Sequence, residues 1–475
     1  MTLKIQDTLS RQKKIFEPVN EGEVRMYVCG MTVQDKPHVG HMRAAVVGDM
    51  IRRYCEFLGY KVTFVNNFTD VDDKIIARAV EEKTEFKVIA ERNMKAYLEA
   101  VEMLGNLPAT YYPKATEHIQ EILDLVQRLI DVGAAYAAQG DVYYRVSKNH
   151  EYGKLSGRKT SELQTGDQGE VVDAKEDPLD FTLWKAAKPE EPSWPSPWGP
   201  GRPGWHIECS AMSMKYLGET FDFHGGGIDL IFPHQENEIA QSESVTHKPF
   251  ANFWIHNGLV NLSGEKMSKS TQHFYLFEDL AKRVDPMVIR YYLFSTHYRS
   301  PIEFSDERLE EAGKAYGRLA ETKKRAEEAL GDLNSVPRNR LADLENGDPL
   351  PADVMEKARE FLASMNDDFN TARALGFLFE TSHIVNRLVD EEVKTGGGSA
   401  AAAFGILKEM MDLLGIRWPA SVECEAPDDI CRLAQQRAEA RSAKNWQEAD
   451  RLREEIQAKG WEVADKGGAF VLKPR

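Results

Sequence analysis

The 475-residue sequence is poor in cysteine, with five in all, and it lacks a basic balance: 60 lysines and arginines stand against 76 aspartates and glutamates. No signal-peptide pattern opens it, and an odd, small set of thiols is not a disulfide framework. This predicts a reducing, cytoplasmic setting in which any cysteine function is metal binding or catalysis. No apolar run approaches the about 18 residues that a membrane-crossing helix needs, so no membrane association is expected. The net charge of −16 argues against a simple nucleic-acid coat, while leaving room for local basic faces.

What is present is a long chain of ordinary globular composition, 42% hydrophobic and 29% charged. It is too long for one core and is expected to hold several. Val24–Cys29 reads as a short strand. From Val39 to Leu58, apolar Met42, Val46, Met50, Tyr54 and Phe57 recur at helical spacing, and Gly59 supplies a stop. Lys61–Val65 is a second β-type run, followed by a helical pattern from about Val71. Strand, helix, strand, helix at this spacing implies an α/β, Rossmann-type parallel sheet with its site at the carboxyl ends of the strands.

The polar stretch from Lys114 to Lys188 reads as an insertion. Trp194–Gly204, dense in proline and glycine, is expected to exclude regular structure. The sheet is expected to resume near Trp205–Phe223 and again near Trp254–Val260, with Cys29 and Cys209 each at or beside a strand end. From Asp306 the spacing predicts a helical bundle, with Lys394–Ala403 as a flexible link or turn. Pro427–Arg475 begins helical and ends in short strands, a small α+β unit. The expected division is 1–113 and 205–260 for the two halves of the Rossmann-type domain, 114–204 for the insertion, 261–305 for a lysine-bearing loop region, 306–420 for the bundle and 421–475 for the C-terminal unit.

The chemistry concentrates in a few places. Cys29–His41 reads CGMTVQDKPHVGH, between the first strand and the first helix. A helix beginning at His38-Val39-Gly40-His41 presents free N–H groups and a positive dipole end, which suit a phosphate. His38 and His41 share one side of the first turn and can donate hydrogen bonds to oxygens gaining charge. Gly40 leaves room for an adenine or ribose near the backbone. Alone, the pair reads equally well as two satisfied polar histidines at a helix start.

A second segment, Gly264-Glu265-Lys266-Met267-Ser268-Lys269-Ser270, follows the last strand candidate. Lys266 and Lys269 form a cationic clamp suited to a triphosphate and a departing pyrophosphate. HVGH after the first strand and KMSKS after the last, in this order, resemble the two signatures of class I aminoacyl-tRNA synthetases.

A third feature is Trp205-His206-Ile207-Glu208-Cys209, followed by HGGGIDLIFPHQENEIAQSE over His224–Glu243. His234 and Glu238 are four apart on one helical face. With Cys29 and Cys209 they make a plausible tetrahedral zinc set. The spacing is not a finger pattern, and it leaves open a pair of inert buried cysteines beside a helix-face His/Glu pair.

Cys29, Cys209, His234 and Glu238 match the zinc ligands of the cysteinyl-tRNA synthetase family. FTDVDDKII at Phe68–Ile76, ATEHI at Ala115–Ile119, the glycine-rich block and RAEARSAKNWQEADRLREEIQAKGW near the C-terminus are also similar to that family, so the resemblance covers nearly the whole chain. It implies one zinc per chain reading the substrate thiol, magnesium arriving with ATP, and L-cysteine, ATP and tRNA(Cys) as partners. It places Cys29, Thr69, Trp205, Asp229 and His234 around the amino acid, with Asp229 suited to the α-ammonium. His38, Gly40, His41 and Lys269 fall to ATP, and His38, His41, Lys266 and Lys269 to catalysis. The region 261–305 then carries the lysine loop and a stem contact, and 421–475 reads the anticodon.

The implied reaction makes cysteinyl-adenylate and pyrophosphate, then passes cysteine to the terminal ribose of the tRNA. A hydrophobic pocket alone discriminates near-isosteres by only roughly 10²-fold, so a thiol-reading metal could make an editing domain unnecessary. Gln34, Pro37 and Thr271-Gln272-His273 depart from the family's usual motifs. Pro37 should stiffen the turn before His38, and the change after Ser270 bears on loop closure. Arg437, Arg441, Lys444 and Arg451 recur at about helical spacing as a basic face near Trp446 and Trp461, which could stack on bases; pairing with local glutamates and packing of the tryptophans is the plainer reading. A ligase joining cysteine to an amino sugar would lack most of Pro427–Arg475, and a non-catalytic relative would carry decayed motifs. No obvious interface helix is present, which favours a monomer.

Overall fold

The computed structural model describes residues 2–160, 174–262, 275–331, 333, 341–344, 350–395, 399–418, 426–443, 445–466 and 469–474. Four parallel strands form the central sheet, in the order Ala251–Asn257, Phe221–Gly227, Glu23–Val28, Lys61–Asn66. The first of these in sequence lies inside the sheet. The second pairs on one side of it, and the chain returns much later to the other side. The topological switch point therefore falls between Glu23–Val28 and Phe221–Gly227, where open α/β sheets hold their ligands.

Helix Val39–Phe57 connects the first two strands. Of the positions that repeat at helical spacing, Met42, Val46, Met50 and Tyr54 are fully buried in the main core, and Phe57 is half-buried against it. The strands carry near-continuous apolar runs because both faces of the sheet are covered: Val24, Met26, Tyr27 and Val65 are all buried.

Between the two halves, Ala135–Ala138, Asp141–Tyr144, Phe181–Ala186 and Gly201–Pro203 form a four-stranded antiparallel sheet. The proline- and glycine-rich segment thus does carry one short strand, contrary to expectation. Gly201–Pro203 is an edge strand, where a proline's missing N–H costs no ladder bond.

The region Trp205–Phe223 is not one resumed strand. Trp205–Leu217 is a helix and the strand begins at Phe221. Cys209 therefore sits on a helix, not at a strand end. From His206 to Ser213 every residue of that helix is buried. A helix enclosed on all sides shows no amphipathic stripe, so periodicity could not reveal it.

Helices Asp306–Leu330, Ala352–Met365, Thr371–Thr395 and Ser399–Leu413 follow. The alanines expected in a flexible link belong to the last of these, with Ala400 and Ala403 fully buried; alanine's helix propensity and burial prevail. Arg290, fully buried on helix Pro286–Phe294, ties these helices to helix Val39–Phe57 of the parallel-sheet region. Its Nη2 pairs with Asp49, its Nε donates to the Leu414 carbonyl at 2.8 Å, and its Nη1 donates to Asn106 Oδ1 at 2.7 Å. Helices Asp428–Ser442 and Trp446–Ala458 and the hairpin Trp461–Lys466/Ala469–Pro474 complete the chain around a small core of their own.

Candidate active site and metal centre

Cys29 directly follows the inner strand Glu23–Val28, its N–H donating to the Gly225 carbonyl at 3.1 Å. Gly30 follows because a β-carbon there would collide with the Asn67 carbonyl, and its N–H donates to Asn67 Oδ1 at 2.8 Å. Cys209 stands on the second turn of helix Trp205–Leu217. His234 lies in the turn Ile231–Gln235, and Glu238 in the first turn of helix Glu236–Thr246. Four elements remote in sequence thus bring two sulfurs, an imidazole and a carboxylate together, their donor atoms all within 4.8 Å of one another. All four residues are buried.

The four groups divide into two that favour the deprotonated form and two that favour the protonated one. Hydrogen bonding from Cys29 is the main reason that the Cys209 thiol falls to about 6, with help from His234. Burial opposes the charge on Glu238, yet His224 and then His234 hold its carboxyl down at about 2. Burial likewise disfavours the His234 imidazolium, but Glu238 and Cys209 raise it to about 10. Burial pushes the Cys29 thiol well up. Cys209 and Glu238 are thus held in their charged forms, while Cys29 and His234 keep protons that a bound metal would displace; by donor type, a two-sulfur, one-nitrogen, one-oxygen set fits zinc chemistry.

A second ring of contacts, invisible in the sequence spacing, orients these groups. His224 Nε2 meets Glu238 Oε2 at 2.8 Å, His206 Nδ1 meets His234 Nδ1 at 3.0 Å, and Gln235 Nε2 donates to Cys29 Sγ at 3.7 Å. Partners of this kind fix ligand tautomer and ring orientation. His206 lies inside the WHIEC motif and was a findable neighbour. His224 sits in a buried strand and had no signal of its own.

Around this cluster, the Thr69 hydroxyl donates to Glu208 Oε2 at 2.9 Å in the interior. The half-buried Trp205 packs its ring 4.4 Å from that of His234, with the Lys74 ammonium 6.0 Å from the indole. Asp229 is exposed on the turn after Phe221–Gly227, its carboxylate folded back towards Gly227.

At the other end of the turn, His38 is the N-cap of helix Val39–Phe57. Its Nδ1 accepts the Gly40 N–H at 3.1 Å, while His41 Nδ1 accepts the His38 N–H at 3.2 Å. The two rings stack with centroids 3.7 Å apart. With each Nδ1 an acceptor, a neutral ring carries its proton on Nε2. Burial lowers His38 to about 4 and His41 well below its ordinary value, so both rings are neutral near pH 7. Gly40, expected to leave room for a nucleotide, also leaves room for the His38 ring, which a β-carbon would meet at 2.9 Å.

Lys266, Lys269 and Thr271–His273 lie outside the described residues. The chain just beyond them is anchored on the histidine turn: Val39 N–H donates to the Tyr275 carbonyl at 3.2 Å and Phe277 N–H to the Pro37 carbonyl at 3.0 Å. Backbone hydrogen bonds thus join the histidine turn to the chain beyond the lysine motif, His38 bridging Leu276 across 238 positions.

The expected basic face near the C-terminus is not a continuous one. Arg437 is buried, and Arg451 pairs with Glu448 and Glu455 at 2.7 and 3.0 Å. Lys444 lies outside the described residues. Trp461 packs on the small core, while Trp446 is exposed with the Arg441 guanidinium 5.6 Å from its ring.

Residues 15–314 match the family model described as the tRNA synthetases class I (C) catalytic domain, and residues 360–417 match the DALR domain. Fold and site together therefore define a class I aminoacyl-tRNA synthetase. Curated cysteine–tRNA ligases align along nearly the whole chain. That of Caldicellulosiruptor saccharolyticus is 46% identical over 98% of both chains, and that of Geobacter sulfurreducens 46% identical over 100% of both. The chain belongs to the cysteine–tRNA ligase family. Among solved structures, Mycobacterium tuberculosis methionyl-tRNA synthetase bound by methionyl-adenylate shares the fold. Its TM-score is 0.59 at 14% identity, with 84% of this chain and 92% of that one covered.

Proposed function

We infer that the protein is a cysteinyl-tRNA synthetase: it activates L-cysteine with ATP to cysteinyl-adenylate and pyrophosphate, and transfers the cysteine to the 3′ end of tRNA(Cys). The family membership supports the activity. The observation that carries the site assignment is the convergence of Cys29, Cys209, His234 and Glu238 at the sheet's switch point, one turn away from the histidine-capped helix.

In this reading those four residues hold one zinc ion. Zinc bound there would prefer a thiolate over a neutral hydroxyl, which separates cysteine from serine more strongly than pocket shape can. Trp205 and Thr69 line the amino-acid side of the cavity, and Asp229 faces the α-ammonium. The Nε2–H groups of His38 and His41 donate to the α-phosphate oxygens as they gain charge, beside the positive end of the helix. Gly40 belongs to the same ATP wall. Lys266 and Lys269 hold the departing phosphates, and magnesium accompanies ATP.

Residues 1–113 and 205–260 form the catalytic domain, with 114–204 as the connective insertion and 261–305 as the lysine-loop and stem-contact region. The bundle 306–420 bridges to a C-terminal unit, 421–475, that meets the anticodon. No described helix is long and apolar enough to cross a membrane, and we place the enzyme in the cytoplasm as a monomer. Charging of a tRNA(Cys) transcript with radiolabelled cysteine tests the activity: accumulation of cysteinyl-tRNA is expected, and its absence with intact protein would overturn the reading. Sedimentation of the active enzyme as a dimer would overturn the monomer.

A further inference from the structure

The amide of Gln235 is fully buried and held at both ends. Its Nε2 lies 3.7 Å from Cys29 Sγ, 3.3 Å from the Gly225 carbonyl oxygen and 3.4 Å from His224 Nδ1. A carbonyl oxygen can only accept, so the nitrogen end of the amide faces the sulfur and the oxygen end faces away. That oxygen, Oε1, meets Nε2 of His256, on the strand Ala251–Asn257. Oε1 can only accept as well, so His256 carries its proton on Nε2. Burial lowers His256 to about 3, so the ring is neutral near pH 7 and its Nδ1 keeps a lone pair. Nδ1 lies 2.8 Å from the Thr8 hydroxyl, which must then be the donor.

A single directed chain results. Thr8 O–H donates to His256 Nδ1, His256 Nε2–H to Gln235 Oε1, and Gln235 Nε2–H to Cys29 Sγ. Its remote end is fixed by backbone. Thr8 lies in the turn of the N-terminal hairpin Lys4–Gln6/Lys13–Ile15, and its N–H donates to the Trp254 carbonyl at 3.0 Å. The Trp254 N–H in turn donates to Asp7 Oδ1 at 2.9 Å. Turned over, the Gln235 amide would aim an oxygen at Cys29 Sγ and at the Gly225 carbonyl. Beside a buried thiolate, an acceptor in place of a donor is costly.

We propose that Thr8 is a positioning residue for the metal centre: by fixing the proton of His256 on Nε2, it keeps the amide nitrogen of Gln235 directed at Cys29, where its N–H supports the thiolate form of that ligand. The proposal rests on the reading of Cys29, Cys209, His234 and Glu238 as metal ligands. Thr8 lies outside that set and acts only through His256 and Gln235.

The test measures the zinc affinity of the full-length protein by competition with a chromophoric chelator, together with the melting temperature of the same proteins stripped of metal. Thr8→Val keeps the side-chain shape and removes the hydroxyl, whereas Thr8→Ser keeps the hydroxyl. Thr8→Val is expected to bind zinc about 10-fold more weakly, the lower end of what outer-shell changes cost, and Thr8→Ser to bind it as the wild type does. In a Gln235→Met background the chain is already cut, so Thr8→Val is expected to weaken zinc no further. A purely structural role for Thr8 would lower the metal-free melting temperature and leave the zinc affinity alone. Should Thr8→Val fail to fold, Thr8→Ala is the second hydroxyl-free variant. Unchanged zinc affinity without the hydroxyl, a loss in Thr8→Ser as large as in Thr8→Val, or an undiminished effect in the Gln235→Met background overturns this proposal alone. A wild-type protein that binds no zinc overturns the ligand assignment and this proposal with it.

Discussion

His38 caps the helix on which His41 stands, and His41 in turn caps the backbone of His38, the two rings stacked 3.7 Å apart. The His38 ring is oriented by the Gly40 N–H and the His41 ring by the His38 N–H, so both Nδ1 atoms are committed. The side-chain donor that remains on each is Nε2.

A substitution that keeps the cap but removes the Nε2–H separates the two duties. Asparagine is a good N-cap. His38→Asn is therefore expected to leave the melting temperature within a few degrees of wild type, while lowering kcat for pyrophosphate exchange by roughly 10²- to 10³-fold, the usual cost of losing one preorganised donor. Thermal unfolding and exchange on the same preparation check this; equal losses in both would make His38 merely structural.

Two buried histidines, His38 at the helix cap and His256 on the strand Ala251–Asn257, set an acid limit. Burial lowers His38 from its ordinary 6.5 to about 4 in the folded chain, and His256 to about 3. In both cases the unfolded chain binds the proton more readily. Their contribution to stability is therefore complete above pH 6.5 and is lost as pH falls towards 4 and 3. Denaturant titrations between pH 7.5 and 4.5 should show stability falling with acid, and His38→Asn should flatten part of that slope.

Asp49 and Arg290 are buried together where the catalytic region meets the helices that follow it. Removing one partner leaves a buried charge, with Arg53 at 2.8 Å from Asp49 as only partial compensation. Arg290→Met is expected to destabilise the protein by about 3–5 kcal/mol, and Asp49→Leu with Arg290→Met to recover much of that. Urea unfolding of the single and double variants checks it.

The metal centre predicts its own loss. Cys209→Ser removes one thiolate of the four-residue set and is expected to leave the purified protein without stoichiometric zinc. A Cys209→Ser protein carrying one zinc per chain would count heavily against the ligand set.

Much of this site was legible in the sequence, and for physical reasons. His38, Gly40 and His41 are adjacent, so their helix and its cap are local events. His234 and Glu238 are one helical turn apart, which spacing alone shows. The long-range part was less legible. Cys209 was expected beside a strand because its helix is enclosed on every side and has no polar face to betray the period. His224 reaches Glu238 only through tertiary packing of a strand against a helix, and Gln235, although next to His234, meets Cys29 across 206 positions. Arg437 sits at helical spacing with other basic residues, yet its helix turns it into the small C-terminal core.

The central claim is that a metal centre at the sheet's switch point selects a thiol. ATP–pyrophosphate exchange by the zinc-loaded enzyme, measured with cysteine and with serine, tests it most directly. Strong exchange with cysteine, exceeding that with serine by well over the roughly 10²-fold that pocket shape alone allows, is the predicted result. Comparable exchange with the two amino acids would contradict it.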